Sequence, residues 1–164
     1  MRQLLIIGLL AVSGQAVAAP APENLLHADF EDQDLRAWRL GGDGDARVTA
    51  YAGNHSLRLL GGAEAITTVG TAGYSTVSIA AAFAAYRLAP HDLCVAEYSL
   101  DGKRWRAVVT VRPGQDDGIA LHPGQARNLA LQGAASITLR LRAQLSDPQG
   151  ACWADNIDVL GVKA

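Results

Sequence analysis

The sequence predicts an all-β fold, an antiparallel jelly-roll β-sandwich in a single domain, on three observations. Ser136 to Gln144 alternates cleanly, with Ile137, Leu139, Leu141 and Ala143 on one side and Thr138, Arg140, Arg142 and Gln144 on the other, the period-two signature of a half-buried strand. Apolar series of similar length recur along most of the chain. Between them stand turn dipeptides with a physical reason to turn, notably Asp43-Gly44, Gly61-Gly62, Asp101-Gly102, Pro113-Gly114 and Pro123-Gly124. About eleven or twelve short strands at this spacing fit a sandwich or jelly roll.

The first residues form an export address. Arg2 supplies a positive start, Leu4 to Val12 an apolar stretch, and Ala16-Val17-Ala18 a small-residue cleavage box, which puts cleavage after Ala18. The apolar stretch is shorter than the ~20 residues a membrane span needs, and Ser13, Gly14 and Gln15 close it off. Residues 1–18 are thus read as a signal peptide and residues 19–164 as the folded domain, secreted or periplasmic and not membrane-inserted after cleavage. A domain of that size buries a core of its own.

Strands are expected over Leu25 to Glu31, Trp38 to Leu40, Arg47 to Tyr51, Ser56 to Leu60, Ala65 to Val69, Thr76 to Ala85, Leu93 to Leu100, Trp105 to Val111, Gly118 to Leu121, Arg127 to Leu131, Ser136 to Gln144 and Ala151 to Leu160. Alanines 80–82 and 84–85 suit a helix by propensity, but the β-branched lead-in at Thr76 to Ile79 and the missing polar helical face favour a strand. Leu93 to Leu100 and Trp105 to Val111 form a hairpin around Asp101-Gly102. Two cysteines, Cys94 and Cys152, in an exported chain read as one disulfide.

The formal net charge is −2, and the arginines are scattered singly among acids and apolar residues, so no basic stripe is available for nucleic acid. His27, His55, His91 and His122 lack zinc-site spacing, and there is no Gly-x-Ser-x-Gly nucleophile elbow. The glutamates are dispersed, and Asp116-Asp117 after Pro113-Gly114 reads as a solvated turn. No motif points to a reaction.

Four motifs in order carry a family resemblance. Asp29, Phe30 and Glu31 are followed by Asp32, Asp34 and Trp38; then come Gly53, Asn54, Ser56, Leu57, Arg58 and Leu59. Tyr98, Ser99, Asp101, Gly102 and Trp105 make the third, and Asp155, Asn156, Ile157 and Val159 the last. In these motifs the chain resembles the secreted jelly-roll modules of the MAM, cleaved-adhesin and calcium-binding carbohydrate-binding types. The resemblance implies the sandwich fold and a binding or adhesion role, with a carbohydrate or a protein surface as partner. A carbohydrate-active enzyme on the same scaffold is one alternative, and a structural or assembly protein without a soluble ligand is another.

By strict period two, Trp153, Asp155, Ile157 and Val159 share one face of the last strand. A carboxylate among such neighbours needs a hydrogen bond or a cation. If the terminal strands meet, as the resemblance implies, Asp29 or Glu31 joins Asp155 around a structural calcium, with carbonyl oxygens from the Gly53 to Ser56 turn completing the cage. For a sugar surface, Tyr51, Tyr74 and Tyr86 are the aromatic candidates, with Arg58, Glu97, Arg140 and Arg142 as a polar sheet face. Tyr74, Tyr86, Arg140 and Arg142 are the selected binding residues, whereas the resemblance implies packing roles for Trp38, Trp105 and Trp153.

Overall fold

A computed structural model describes residues 20–51 and 53–164. The expected signal peptide and its cleavage after Ala18 lie outside the described residues. Within them the fold is all β: β1 (Glu23–Ala28), β2 (Arg39–Tyr51), β3 (Asn54–Gly70), β4 (Tyr74–Tyr86), β5 (Leu93–Ser99), β6 (Arg106–Val111), β7 (His122–Ala130), β8 (Ser136–Gln144) and β9 (Ala151–Lys163). All named pairings are antiparallel, in the order β6-β5-β8-β3-β9-β4-β7, with β1 on β9 and β2 on β3.

The strands are fewer and longer than the sequence reading expected. The segments read as separate around Trp38 to Leu40 and Arg47 to Tyr51 fuse into β2, and those around Ser56 to Leu60 and Ala65 to Val69 fuse into β3. The Gly-rich dipeptides bend the paired strands instead of breaking them. Gly42 and Gly61 take positive φ (81° and 59°), and a Cβ on Gly44 would run into the Leu60 carbonyl. The bend transfers β3 between layers: Leu57–Leu59 pair with β9, and Glu64–Gly70 pair with β8. One layer is therefore built around β3, β9, β4 and β7, the other around β3, β8, β5 and β6. Residues 118–121, expected as a strand, precede β7 as irregular chain held by Asp117, whose carboxylate accepts the Ile119 and Ala120 amides.

The inner faces interdigitate through Leu57, Leu59, Phe83, Val111, Ile137, Leu141, Ile157 and Val159, all essentially inaccessible. In β8 the inward residues are Ile137, Leu139, Leu141 and Ala143, as the alternation requires. Phe30 and Trp38 join this core with their rings 6.0 Å apart. Cys94 of β5 and Cys152 of β9 are bonded across the two layers with Cα atoms 5.8 Å apart.

Candidate functional site

The site begins with one displaced residue in β9. Asn156 has φ 53°, and between the pairs Ala80–Asp158 and Ala82–Asp155 the strand carries one residue more than β4, a β-bulge. Asn tolerates this left-handed conformation better than most residues. The bulge reverses the side-chain alternation. Ile157 and Val159 face the core along with Cys152 and Ala154, while Trp153 and Asp155 point to the outer face. The expectation that all four of Trp153, Asp155, Ile157 and Val159 share a face is thus corrected, since period two holds only on each side of Asn156.

On that outer face the strands align their side chains in rows. Arg47, Arg58, Trp153 and Ala84 form one row through the pairs Arg47–Arg58, Arg58–Trp153 and Trp153–Ala84. The next holds Thr49, Ser56, Asp155 and Ala82, from the pairs Thr49–Ser56 and Ala82–Asp155 and the Ser56 Oγ to Asp155 Oδ2 contact of 3.5 Å. Tyr51 ends β2 beyond these rows, yet its ring stacks on Trp153 with centroids 4.8 Å apart and planes at 26°. Its hydroxyl donates to the Gly118 carbonyl at 2.8 Å. Gly118 lies beside the far edge of β4, with its amide on the Ala85 carbonyl. Strands are spaced about 4.8 Å apart. The Tyr51 side chain and the Gly118 loop meet over the outer face of β9 and β4. Ala84, an outward residue paired with Trp153, is 0% exposed.

Gly118 also meets Tyr86, whose ring carbon Cδ2 lies 3.0 Å from where a Cβ on Gly118 would sit. Tyr51 and Tyr86 thus both meet Gly118, and Trp153 joins them through its stack on Tyr51, with Tyr86 45% exposed. Arg58 holds its guanidinium 5.9 Å from the Trp153 ring centre. Arg58 Nε and Thr49 Oγ1 are buried without a hydrogen-bond partner among the described residues. Native buried polar groups are nearly always satisfied, so each has capacity for an internal water.

Asp155 is only 3% exposed. Its Oδ1 accepts the Asn156 amide at 2.8 Å, and its other oxygen has only the long Ser56 contact. Burial pushes its carboxyl above the ordinary carboxylate range, and the charges of Glu31 and Asp29 push the same way. These two acids follow β1 and are themselves engaged. Glu31 Oε1 accepts the His55 amide at 2.9 Å, while its Oε2 lies 3.3 Å from His55 Nδ1. Asp29 Oδ1 accepts the Glu31 amide, and its other oxygen lies 3.5 Å from His27 Nε2. His27 Nδ1 is 2.7 Å from Asp158, a contact that raises the pKa of the imidazole. Among the described residues no three His, Cys, Asp or Glu side chains are arranged to hold a metal ion.

The four residues selected from sequence for sugar binding do not form one surface. Tyr86 belongs to the aromatic group just described. Tyr74 is at the opposite end of β4, with its hydroxyl on Glu23 Oε2 at 2.7 Å and its ring against Gly161. Arg140 and Arg142 lie on β8 in the other layer. Arg140 donates from Nε and Nη2 to Glu97 Oε2 at 2.9 and 2.6 Å, and its guanidinium lies 4.0 Å over the Trp105 ring. Arg142 Nη2 reaches Glu97 Oε1 at 3.3 Å. The residue sequence reasoning assigned elsewhere is Trp153, placed in packing because the resembling modules use that position for packing.

No family model matches the chain, and no curated protein matches it by sequence. Solved structures do. A CBM61 module, TmCBM61, solved in complex with β-1,4-galactotriose superposes with a TM-score of 0.67 at 15% identity, covering 84% of this chain and 97% of that one. The CBM22-1 xylan-binding domain of Paenibacillus barcinonensis Xyn10C gives 0.57 at 21% identity, covering 90% and 99%. The K3 cleaved adhesin domain of Lys-gingipain from Porphyromonas gingivalis gives 0.56 at 11% identity, covering 85% and 99%. The protein therefore has, as a single domain, the β-sandwich fold seen in carbohydrate-binding modules and in a cleaved adhesin domain.

Proposed function

We propose that the protein is a secreted, non-catalytic carbohydrate-binding module that meets its glycan at the Tyr51, Trp153 and Tyr86 group, with Arg58 as the adjoining donor. The meeting of Tyr51 and Tyr86 at Gly118, with Trp153 stacked on Tyr51, carries this reading. Aromatic planes stack on the apolar faces of pyranose rings, and a few convergent polar groups fix orientation. The Arg58 guanidinium beside the Trp153 ring supports it. So does the likeness in fold to a module solved with galactotriose and to a xylan-binding domain. The buried disulfide fits an oxidising compartment. Adhesion to a protein surface is the second reading, favoured by the likeness to the cleaved adhesin domain. Affinity electrophoresis of the cleaved chain through gels containing β-1,4-galactan or xylan should show retardation by at least one polymer. Free migration through a full panel of plant and microbial polysaccharides would overturn the carbohydrate reading.

Calcium beside Asp155 is part of the same proposal, in a structural role. The donor chemistry fits: a desolvated carboxylate with an underused oxygen, a second acid near enough to raise its pKa, and the carbonyl-bearing Gly53 to Ser56 turn adjoining both. With no three-side-chain cage among the described residues, the ion would take Asp155 and Glu31 and fill its shell with carbonyl oxygens and water, a mixture calcium accepts.

The sign of the pH effect follows. A carboxyl whose folded pKa exceeds its unfolded value favours folding fully below the unfolded value, near 4, and loses that contribution as pH rises through the folded value. Without calcium, Asp155 should therefore make the protein less stable at pH 7 than the Asp155→Asn variant, and the difference should vanish toward pH 3. Calcium at a hundred times its dissociation constant should restore about 2.7 kcal/mol to the wild type and nothing to the variant. Thermal melts unchanged by calcium and by chelator at pH 7 would remove the site.

A further inference from the structure

β6 and β7 are the two ends of the strand path, so each leaves one edge without a strand partner. They touch where Gly124 packs on the Val108 carbonyl, a contact too close to admit a side chain. From there they diverge and open a cleft of about 650 Å³, a size suited to a small ligand. Tyr98, Asp101, Arg104, Arg106, Asn128 and Gln132 supply its polar lining, with Leu100, Leu129 and Leu131 as apolar strips. This cleft contains none of the residues of the aromatic group or the Asp155 cluster.

Three features mark it as a built site. Tyr98 packs its ring in the core, while its hydroxyl, which has no hydrogen-bond partner among the described residues, opens onto the cleft. Phenylalanine would serve the packing alone, and the phenol adds a polar group facing the cleft. Asn128 and Gln132 both have φ 50°, which Asn tolerates and Gln less so, and both present exposed side chains at the cleft. Neither side-chain amide has a partner among the described residues; only the Asn128 backbone amide is used, on Ser78 Oγ. The charge is also unbalanced. Arg104 is tied to Asp101 at 2.8 Å, whereas Arg106 is exposed and forms no ion pair among the described residues.

We infer that this cleft is a second ligand site, specific for an acidic saccharide, in which Arg106 receives a uronate carboxylate and Tyr98, Asn128 and Gln132 receive ring hydroxyls. A guanidinium pairs a carboxylate through two parallel N–H bonds, amides and a phenol match vicinal hydroxyls, and the leucines accept the apolar ring face. The inference rests on the reading that the protein binds carbohydrate, and it adds a class of sugar that the aromatic group does not select.

Calorimetric titration of the cleaved chain with trigalacturonate and, separately, with neutral β-1,4-galactotriose tests it. Trigalacturonate should bind, weaken at least tenfold between 50 and 300 mM salt, and remain bound in excess galactotriose. Arg106→Ala should lower the ratio of trigalacturonate to galactotriose affinity at least tenfold. Tyr98→Phe, which keeps the ring, should lower it about threefold. An unchanged ratio in Arg106→Ala overturns the inference, as does displacement of trigalacturonate by galactotriose. Galactotriose binding without trigalacturonate binding overturns the cleft site alone. Binding of neither sugar, with every neutral polysaccharide in the panel equally inert, overturns both the cleft site and the carbohydrate reading.

Discussion

Replacing both Cys94 and Cys152 with serine should cost about 4 kcal/mol of stability, because the disulfide closes a loop of 58 residues and so restricts the unfolded chain. The bridge joins β5 in one layer to β9 in the other, so the constraint it supplies is one that no hydrogen-bonded ladder duplicates. For a domain of this size the melting temperature should fall by roughly 10 °C. Denaturant titration of the oxidised wild type and the double variant measures the loss. A difference below about 1 kcal/mol would mean that the crosslink adds nothing to the interlayer packing. The single variant Cys94→Ser should also expose a thiol at Cys152 that titrates only after unfolding, since both positions are inaccessible in the native state.

The parts of this fold that were legible in the sequence are those governed by local chemistry. Alternation from Ser136 to Gln144 reads directly as β8, because one side of that strand faces the core and the other carries the Thr138, Arg140 and Arg142 side chains outward. Asp101-Gly102 reads as a turn because Asp101 accepts the Lys103 and Arg104 amides and Gly102 has φ 69°. The pairing of the cysteines needed only their number and the compartment.

What escaped the sequence was decided by non-local register. Gly61-Gly62 looks like a terminator, but a flanking ladder on β2 continues through it and converts a break into a bend. The Asp155-Asn156 pair conceals a bulge whose only local sign is the tolerance of Asn for positive φ. In β4 the outward Ala82 and Ala84 carry no polar contrast with the inward Ala81, Phe83 and Ala85, because both sides of the strand are buried. Tyr51 and Trp153 are far apart in sequence and meet only after β2, β3 and β9 are in register. Their contact could not be read from spacing. Arg140 and Arg142 were correctly placed on an outward face, but Glu97 and Trp105 engage them.

Trp153→Ala should weaken glycan binding by 2 kcal/mol or more, which is about thirtyfold, because it removes a stacking plane and the support that holds Tyr51 over the sheet. Tyr51 and Trp153 contribute about 0.5–1.5 kcal/mol through ring geometry beyond their buried area, so the variant should be less stable but folded at 25 °C. Trp153→Phe retains a smaller ring and should recover part of the affinity. Tyr51→Phe loses only the hydrogen bond to the Gly118 carbonyl, so its effect separates the tether from the stack.

The most direct measurement is a calorimetric titration, at fixed calcium, of whichever neutral glycan retards the wild type most, repeated with Trp153→Ala after near-ultraviolet dichroism has established that the variant is folded. Binding through the aromatic group requires saturable association in the wild type and at least a thirtyfold loss in the variant. Equal affinities in the two proteins would show that the glycan binds elsewhere, and would contradict the assignment of the Tyr51, Trp153 and Tyr86 group as the binding surface.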